Sequence, residues 1–331
     1  MMQFSYQRSQ DLPSALSHIR SARDAKFIGG GTNLFDLIKA DVMRPAQVLD
    51  INQLPFHEIT DNDQGGLRIG ALVTNSDVAW NPLITARYPL LAKAILAGAS
   101  PQLRNMATTG GNLLQRTRCY YFYDKATPCN KRSPGSGCGA IGGFNRIHAI
   151  LGASSSCIAV HPSDMCVALA ALDAEVRVES MDGSRVIPFA DFHRLPGDTP
   201  ERDHNLRDDE LITAVDLPAD DFSQHFTYIK IRDRSSYAFA LVSVAAALQM
   251  DNGIIKKARL ALGGVAHKPW RRPEAEALLE NQKPEQAAFE AAAQALLEGA
   301  KGQGHNNFKI ELAHRAIIRA LSEAAGMEVT A

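Results

Sequence analysis

The chain predicts an α+β protein, and three observations carry that expectation. Short apolar runs bounded by glycine, proline and polar clusters alternate with stretches of helical periodicity through the first two thirds of the chain. Three strand-like runs followed by three helix-like ones occupy the last third, the pattern of a small sheet with helices on one face. The length of 331 residues, 45% hydrophobic and 21% charged, allows two or three domains of roughly 100 to 200 residues each, with ample apolar burial.

Taken in order, a short strand at Phe4 to Tyr6 precedes a helix from Pro13 to about Arg23, with Asp11 as its cap and Leu16 and Ile19 on one face. Lys26-Phe27-Ile28 reads as a strand, and Gly29-Gly30-Gly31-Thr32-Asn33 turns it into a helix at Leu34 to Lys39. Strands follow at Gln47 to Ile51 and Leu67 to Val73, then a helix over about Pro89 to Ala99 on the apolar spacing Leu90, Leu91, Ala94, Ile95. From Cys119 to Cys157 periodicity fails. Pro128, Pro134, six glycines from Gly135 to Gly152 and the run Tyr120-Tyr121-Phe122-Tyr123 read as an insertion ordered by something other than a core. Past Ser163 come a helix at Asp164 to Leu172, a hairpin of Ala174 to Glu179 with Arg185 to Ile187, and a strand at Leu211 to Leu217 stopped by Pro218. Pro218 to Gln224 reads as a linker. Strands at Phe226 to Arg232, Phe239 to Met250 and Ile254 to Gly263 and helices at about Pro273 to Glu280, Pro284 to Leu297 and Phe308 to Ala325 complete the chain.

Charge and hydropathy narrow the function. A formal net charge of -1 with a pI near 6.8 argues against nucleic acid as the main ligand, because such proteins carry a basic face. The longest nearly apolar stretch, Tyr237 to Leu248, is too short for a bilayer, which needs roughly 20 residues, so no membrane insertion is expected. The first residues lack a basic region followed by an apolar one. The chain is thus expected to carry no export signal of its own, which leaves open transport with a partner that has one.

Five cysteines, Cys119, Cys129, Cys138, Cys157 and Cys166, fall within one seventh of the chain. An odd count in a long chain disfavours a disulfide framework, so metal ligation is the first reading. The spacing C-x9-C-x8-C-x18-C from Cys119 to Cys157 lacks the close pairs of structural zinc sites. An iron-sulfur cluster tolerates such spacing when a loop wraps it, with zinc and unligated thiols as the alternatives. Cys166 sits on an apolar helix and is assigned to packing.

The glycines of residues 29 to 31 can expose successive backbone N–H groups to a pyrophosphate, although the run matches neither GxGxxG nor GxxxxGK[ST] and a plain tight turn is the alternative. Thr108-Thr109-Gly110-Gly111-Asn112 offers a second set of donors, or a helix-ending turn. His161-Pro162-Ser163-Asp164 cannot form a relay of adjacent residues. Asp164 is instead a helix cap or an acceptor for a ligand hydroxyl. Arg116, Arg118, Lys131, Arg132 and Arg146 make the insertion basic, as a solvated loop or as charges facing a negative cluster or acidic partner. Lys230 and Arg232 lie on a strand, where the plain reading is ordinary surface residues.

Together, Lys26 to Leu34, the loop at 108 to 112 and His161 to Asp164 resemble the FAD-binding subunit of the xanthine oxidase family over essentially the whole chain. The four-cysteine insertion is similar to that of the FAD subunit of bacterial periplasmic aldehyde oxidoreductases, whose loop carries a [4Fe-4S] cluster. The first loop departs slightly, with Gly29 where relatives often carry Ala or Val.

The resemblance implies a vanillyl-alcohol-oxidase-type (PCMH-type) FAD domain in two α+β subdomains over residues 1–220, with an iron-sulfur insertion at about 115–158, and a carbon monoxide dehydrogenase flavoprotein-like α+β domain over 221–331. It implies that Lys26, Phe27, Ile28, Gly29, Gly30, Gly31, Thr32, Asn33 and Leu34 cradle the FAD pyrophosphate, that Thr108, Gly111 and Asn112 close on it, and that Asp164 binds a cofactor hydroxyl. Ile212 and Lys230 would meet the isoalloxazine region, and Cys119, Cys129, Cys138 and Cys157 would hold the cluster. The implied activity is electron transfer in a molybdenum-dependent aldehyde oxidoreductase, with no catalytic residue in this chain. The implied partners are a molybdenum-cofactor large subunit, a small subunit with two [2Fe-2S] clusters and an external electron acceptor. A periplasmic location by co-export is implied, with the cytoplasm as the alternative. The rival readings are a self-contained flavin oxidoreductase and a zinc-stapled nucleotide-binding module.

Overall fold

The computed structural model describes residues 3–22 and 24–327. Its strands form three sheets. Strands β1 (Ser5–Arg8), β2 (Ala25–Ile28) and β3 (Gln47–Asp50) make a small parallel sheet in the order β1-β3-β2. The helix Leu12–Ser21 joins the first two, its N-terminus capped by Asp11 Oδ1, which accepts from Ser14 N–H at 2.8 Å. The expected helix end at Arg23 lies outside the described residues.

Strands β4 (Ile59–Asp61), β5 (Leu67–Gly70), β6 (Glu175–Ser180), β7 (Gly183–Pro188) and β8 (Leu211–Leu217) form an antiparallel sheet in the order β4-β5-β8-β6-β7. All seven residues of the central β8 are buried, including Asp216, which pairs with Arg68 and Arg177 of the neighbouring strands at 2.8 and 3.1 Å. The third sheet, in the order β12-β11-β10-β9, comprises β9 (His225–Ile231), β10 (Val242–Asp251), β11 (Ile254–Gly263) and β12 (Trp270–Arg271).

That third sheet is covered on both faces, not on one as expected. Val244, Ala246 and Leu248 pack into a core with Phe289, Ile317 and Leu321 of the C-terminal helices, while Ala245, Ala247 and Ala261 join the core of Leu90, Leu91, Met165 and Val167. The alternation along β10 is therefore large-small and not apolar-polar. Small residues on one face let the helices Pro89–Ala97 and Asp164–Ala171 of the N-terminal part rest close against the sheet.

The segment expected as a linker is tied down. Phe222 is buried, Asp220 pairs with Lys257 and Arg259 at 2.9 Å, and Tyr88 Oη donates to Pro218 O at 2.6 Å. The short helices Asn75–Trp80, Pro82–Arg87, Pro101–Arg104 and Thr109–Leu113 were not anticipated. Each is one or two turns long, too short to show periodicity, and starts on a side-chain cap from Thr74, Asn81, Ser100 or Thr108. Among the described residues, no helix is long and apolar enough to cross a membrane.

Candidate functional site

The two glycine loops meet. Strand β2 delivers Gly29 to Gly31 onto the backbone of Met106 and Ala107 so closely that a Cβ on Gly30 would lie 1.6 Å from Met106 O. Gly31 turns back over Phe35 with φ +71°, a conformation that L side chains rarely adopt. Asn33 Oδ1 accepts from Arg116 N–H at 2.9 Å, while its Nδ2 is buried without a partner among the described residues. No described residue accepts from the backbone N–H of Gly29, Gly30, Gly31, Thr32 or Asn33. A buried amide donor and a row of free N–H groups on glycines suit an anion.

The second loop opens a helix and does not end one. Thr108 is the N-cap of Thr109–Leu113, its Oγ1 accepting from Gly111 N–H at 3.3 Å. Gly110 N–H donates to Ala71 O at 2.8 Å, and the Gly110 turn lies over the buried Ile212 of β8. Asn112 spends its amide inside the protein: Nδ2 donates to Asn75 Oδ1 at 2.7 Å, and Oδ1 accepts from Ser163 Oγ at 2.5 Å.

Ser163 carries the connection onward. It, and not Asp164, is the cap of the Asp164–Ala171 helix, with Oγ accepting from Cys166 N–H at 3.0 Å. Asp164 then accepts from Tyr228 Oη and from Lys230 Nζ, each at 2.7 Å. The Asp164–Lys230 pair is 9% and 5% exposed, so Lys230 is no ordinary surface residue. Burial and the Asp164 carboxylate beside it hold the Tyr228 phenol well above its usual range. Tyr228 was missed, although it lies two residues before Lys230 and so on the same face of β9.

The four cysteines of the insertion line one small cavity, walled also by Thr117, Phe122, Pro128 and Ala140. Apart from one turn at Tyr120–Tyr123 and an isolated bridge between Cys129 and Cys138, the segment has no regular structure, as its composition predicts. Cys119, Cys129 and Cys157 are buried, and none of the four is disulfide-bonded. Burial, with neighbouring thiols adding to it, pushes Cys119 up to about 12 and Cys157 up to about 11. Thiols so placed ionise only against a cation, which a metal centre provides. The donor set and the cavity fit a thiolate-ligated group.

The basic residues around this cage are bonded within the chain. Lys131 is buried against Asp203 and Pro200 O, the latter at 2.6 Å, and Arg116 meets Asp203 at 2.6 Å. Arg118 pairs with Asp36, Arg132 donates to the carbonyls of Tyr121 and Phe122, and Arg146 pairs with Asp233. Burial would raise the Asp203 carboxyl, yet Lys131 and Arg116 hold it well below the usual range. His161, Cys166 and His193 form a further buried group with ligating atoms within 4.8 Å. His161 Nδ1 accepts from Ser163 N–H at 3.4 Å, which puts its proton on Nε2 and leaves no lone pair there for a metal.

Comparison with known proteins defines the class. The FAD binding domain of molybdopterin dehydrogenase matches residues 2–220, and the CO dehydrogenase flavoprotein C-terminal domain matches residues 227–324. The chain belongs to this FAD-binding family of molybdopterin dehydrogenases. It is 50% identical over 325 residues to the aldehyde oxidoreductase FAD-binding subunit PaoB of Escherichia coli K12, covering 98% of this chain and 99% of that one. Identity to the glyceraldehyde dehydrogenase medium chain of Sulfolobus acidocaldarius is 29% over 274 residues, or 83% and 80% of the two chains. A chain of carbon monoxide dehydrogenase from Hydrogenophaga pseudoflava has the same fold, with a TM-score of 0.76 at 24% identity over 98% of both chains. Quinoline 2-oxidoreductase from Pseudomonas putida 86 superposes with a TM-score of 0.75 at 23% identity, again over 98% of each.

Proposed function

We propose that the chain is the FAD- and [4Fe-4S]-containing electron-transfer subunit of a molybdenum-dependent aldehyde oxidoreductase. Its partners in this reading are a molybdenum-cofactor large subunit and a small subunit with two [2Fe-2S] clusters. Residues 1–220 would form the flavin domain and 221–331 the second domain, residues 328–331 lying outside those described. The full-length similarity to an aldehyde oxidoreductase FAD-binding subunit supports the assembly and substrate class. The observation that carries the flavin site is the orphaned Asn33 Nδ2 beside the glycine N–H groups where two loops meet.

Bound there, FAD would supply electron exchange between an iron-sulfur donor and an external acceptor, and the cluster would supply one-electron transfer. The chain's own residues do the holding. Residues 26 to 34 would present donors to the pyrophosphate with the Thr108 hydroxyl, while Gly111 and Asn112, whose N–H groups are spent within the chain, would close the second loop over it. Asp164, held by Tyr228 and Lys230, would accept from a cofactor hydroxyl away from solvent. Ile212, behind Gly110, backs the ring region with an apolar surface. Cys119, Cys129, Cys138 and Cys157 would ligate iron.

Anaerobic purification of the full chain, with flavin, iron, sulfide and zinc measured together, tests the reading. About one FAD with four iron and four sulfide is expected. Cys138→Ser should lose iron and keep FAD, and unchanged iron in that variant refutes the ligand set. Zinc without flavin would establish the stapled nucleotide-binding rival, and turnover of an aldehyde by the chain alone the self-contained oxidoreductase. For location, the reading is the periplasm by co-export with a signal-bearing partner. Recovery of the intact complex only in the cytoplasmic fraction would overturn it.

A further inference from the structure

A histidine stands against one cysteine of the cage. His148 Nε2 lies 3.1 Å from Cys119 Sγ, and the ring is 1% exposed. Its place is held from the C-terminal part of the chain. Lys309 Nζ donates to His148 O at 2.8 Å and to Gly264 O at 2.5 Å, and Asn306 Nδ2 donates to His148 O at 3.1 Å and to Ala149 O at 3.0 Å. Lys309 and Asn306 are both fully buried. On the near side His148 N–H donates to Asn145 O at 3.0 Å, and the ring packs beside Tyr120 and Tyr121 with centroids 6.4 and 6.2 Å away.

The other ring nitrogen decides which way the bond to sulfur runs. His148 Nδ1 is buried with no partner among the described residues. A proton there would be a buried donor without an acceptor, costing about 1 to 3 kcal/mol. On Nε2 the same proton faces a sulfur. An iron-bound thiolate has no proton to offer, so in a loaded cage the only favourable hydrogen bond is Nε2–H to Sγ.

We propose that His148 is a positioning residue for the cage, donating through Nε2–H to Cys119 Sγ and thereby raising the reduction potential of the cluster. The inference rests on the reading of the four cysteines as [4Fe-4S] ligands. A donor to a ligating sulfur draws charge from the cluster and favours the reduced state, which carries one more negative charge. Because Lys309 and Asn306 belong to the C-terminal part, the tuning contact is set by the docking of that part onto the insertion.

The test uses the full-length chain expressed without partners, so that no other cluster contributes to the signal. Iron and sulfide are counted, and the midpoint potential is read by electron paramagnetic resonance during a redox titration of wild type, His148→Leu and His148→Gln. The leucine variant is expected to keep its iron while its potential falls by the equivalent of about a tenfold change in the reduction equilibrium, roughly 59 mV for one electron. Glutamine, whose amide can still donate, should recover part of the difference. Wild type without iron would sink the ligand reading itself. Iron-loaded leucine variant with the wild-type potential would overturn only the role of His148. If the leucine variant does not load iron, wild type grown on 15N-histidine decides: nitrogen hyperfine coupling to the reduced cluster is expected, and its absence overturns the inference.

Discussion

The proposed flavin cradle draws on four distant segments, around residues 30, 110, 164 and 230, whereas the cysteine cage takes all its thiols from the single stretch between Cys119 and Cys157. Their holding forces differ accordingly. In the cradle, backbone meets backbone at Gly30 and Met106, and Asn112 is tied to Ser163, the cap of the helix whose first residue, Asp164, pairs with Lys230. The cage segment has almost no hydrogen-bonded ladder of its own. It is pinned by charged and amide side chains to flanking elements, through Lys131 and Arg116 to Asp203 on one side and Lys309 and Asn306 on the other. A binding site made of main chain thus depends on how sheets and helices dock, while one made of side chains on an insertion depends on a few buried anchors.

The comparison is open to direct attack, and the largest effect is expected at Asp164. Asp164→Ala strands the buried Lys230 ammonium, so unfolding by denaturant should show a loss of about 3 to 5 kcal/mol. Adding Lys230→Met should restore much of it while flavin content stays low. Gly30→Ala forces Cβ onto the Met106 carbonyl and should cost about 2 to 3 kcal/mol together with retained flavin. Iron per folded chain should not change, and a parallel loss of iron would show that cradle and cage are one cooperative unit.

Asp203→Asn should cost about 2 kcal/mol by leaving Lys131 under-compensated, and it carries a pH signature. Because Lys131 and Arg116 hold the folded carboxyl below its unfolded value, its stabilisation is complete above the unfolded pKa of about 3.9 and fades as pH falls toward the lower folded value. Unfolding midpoints of wild type should therefore drop below about pH 4, and the variant should show a flatter acid limb. A variant as acid-sensitive as wild type would remove Asp203 from the anchor. The smallest effect is expected at Gly135, φ +82° with nothing within 4 Å of an added Cβ. Gly135→Ala should cost about 1 kcal/mol from backbone strain alone and leave flavin and iron unchanged.

Much of this was legible in advance, for identifiable reasons. The helix Leu34–Lys39, strand β8 and strand β11 lie at the bounds their sequence patterns predict, because each has an apolar period bounded by Gly, Asp or Pro. The capped one- and two-turn helices were invisible, since a single turn holds too few residues to show a period. The candidate site was legible as residue types in runs: glycines 29 to 31, the loop at 108 to 112, and four cysteines. Tyr228, Ser163 and Asn75 were not, because each acts through one partner that is distant in sequence or, for Ser163, through a cap mistaken by one position.

What the sequence determined by itself was local: glycines that permit close backbone approach, an insertion unable to form a core, and thiols grouped on one segment. Only tertiary structure decided that Gly30 rests on Met106, that Lys230 of β9 reaches Asp164 at the start of its helix, and that Lys309 holds the His148 backbone beside Cys119. The physical reason is that periodicity and residue type report the conformations one segment can adopt. Ion pairs and hydrogen bonds between buried groups exist only once separate segments have excluded water from between them, so the partner of each such group is set by packing.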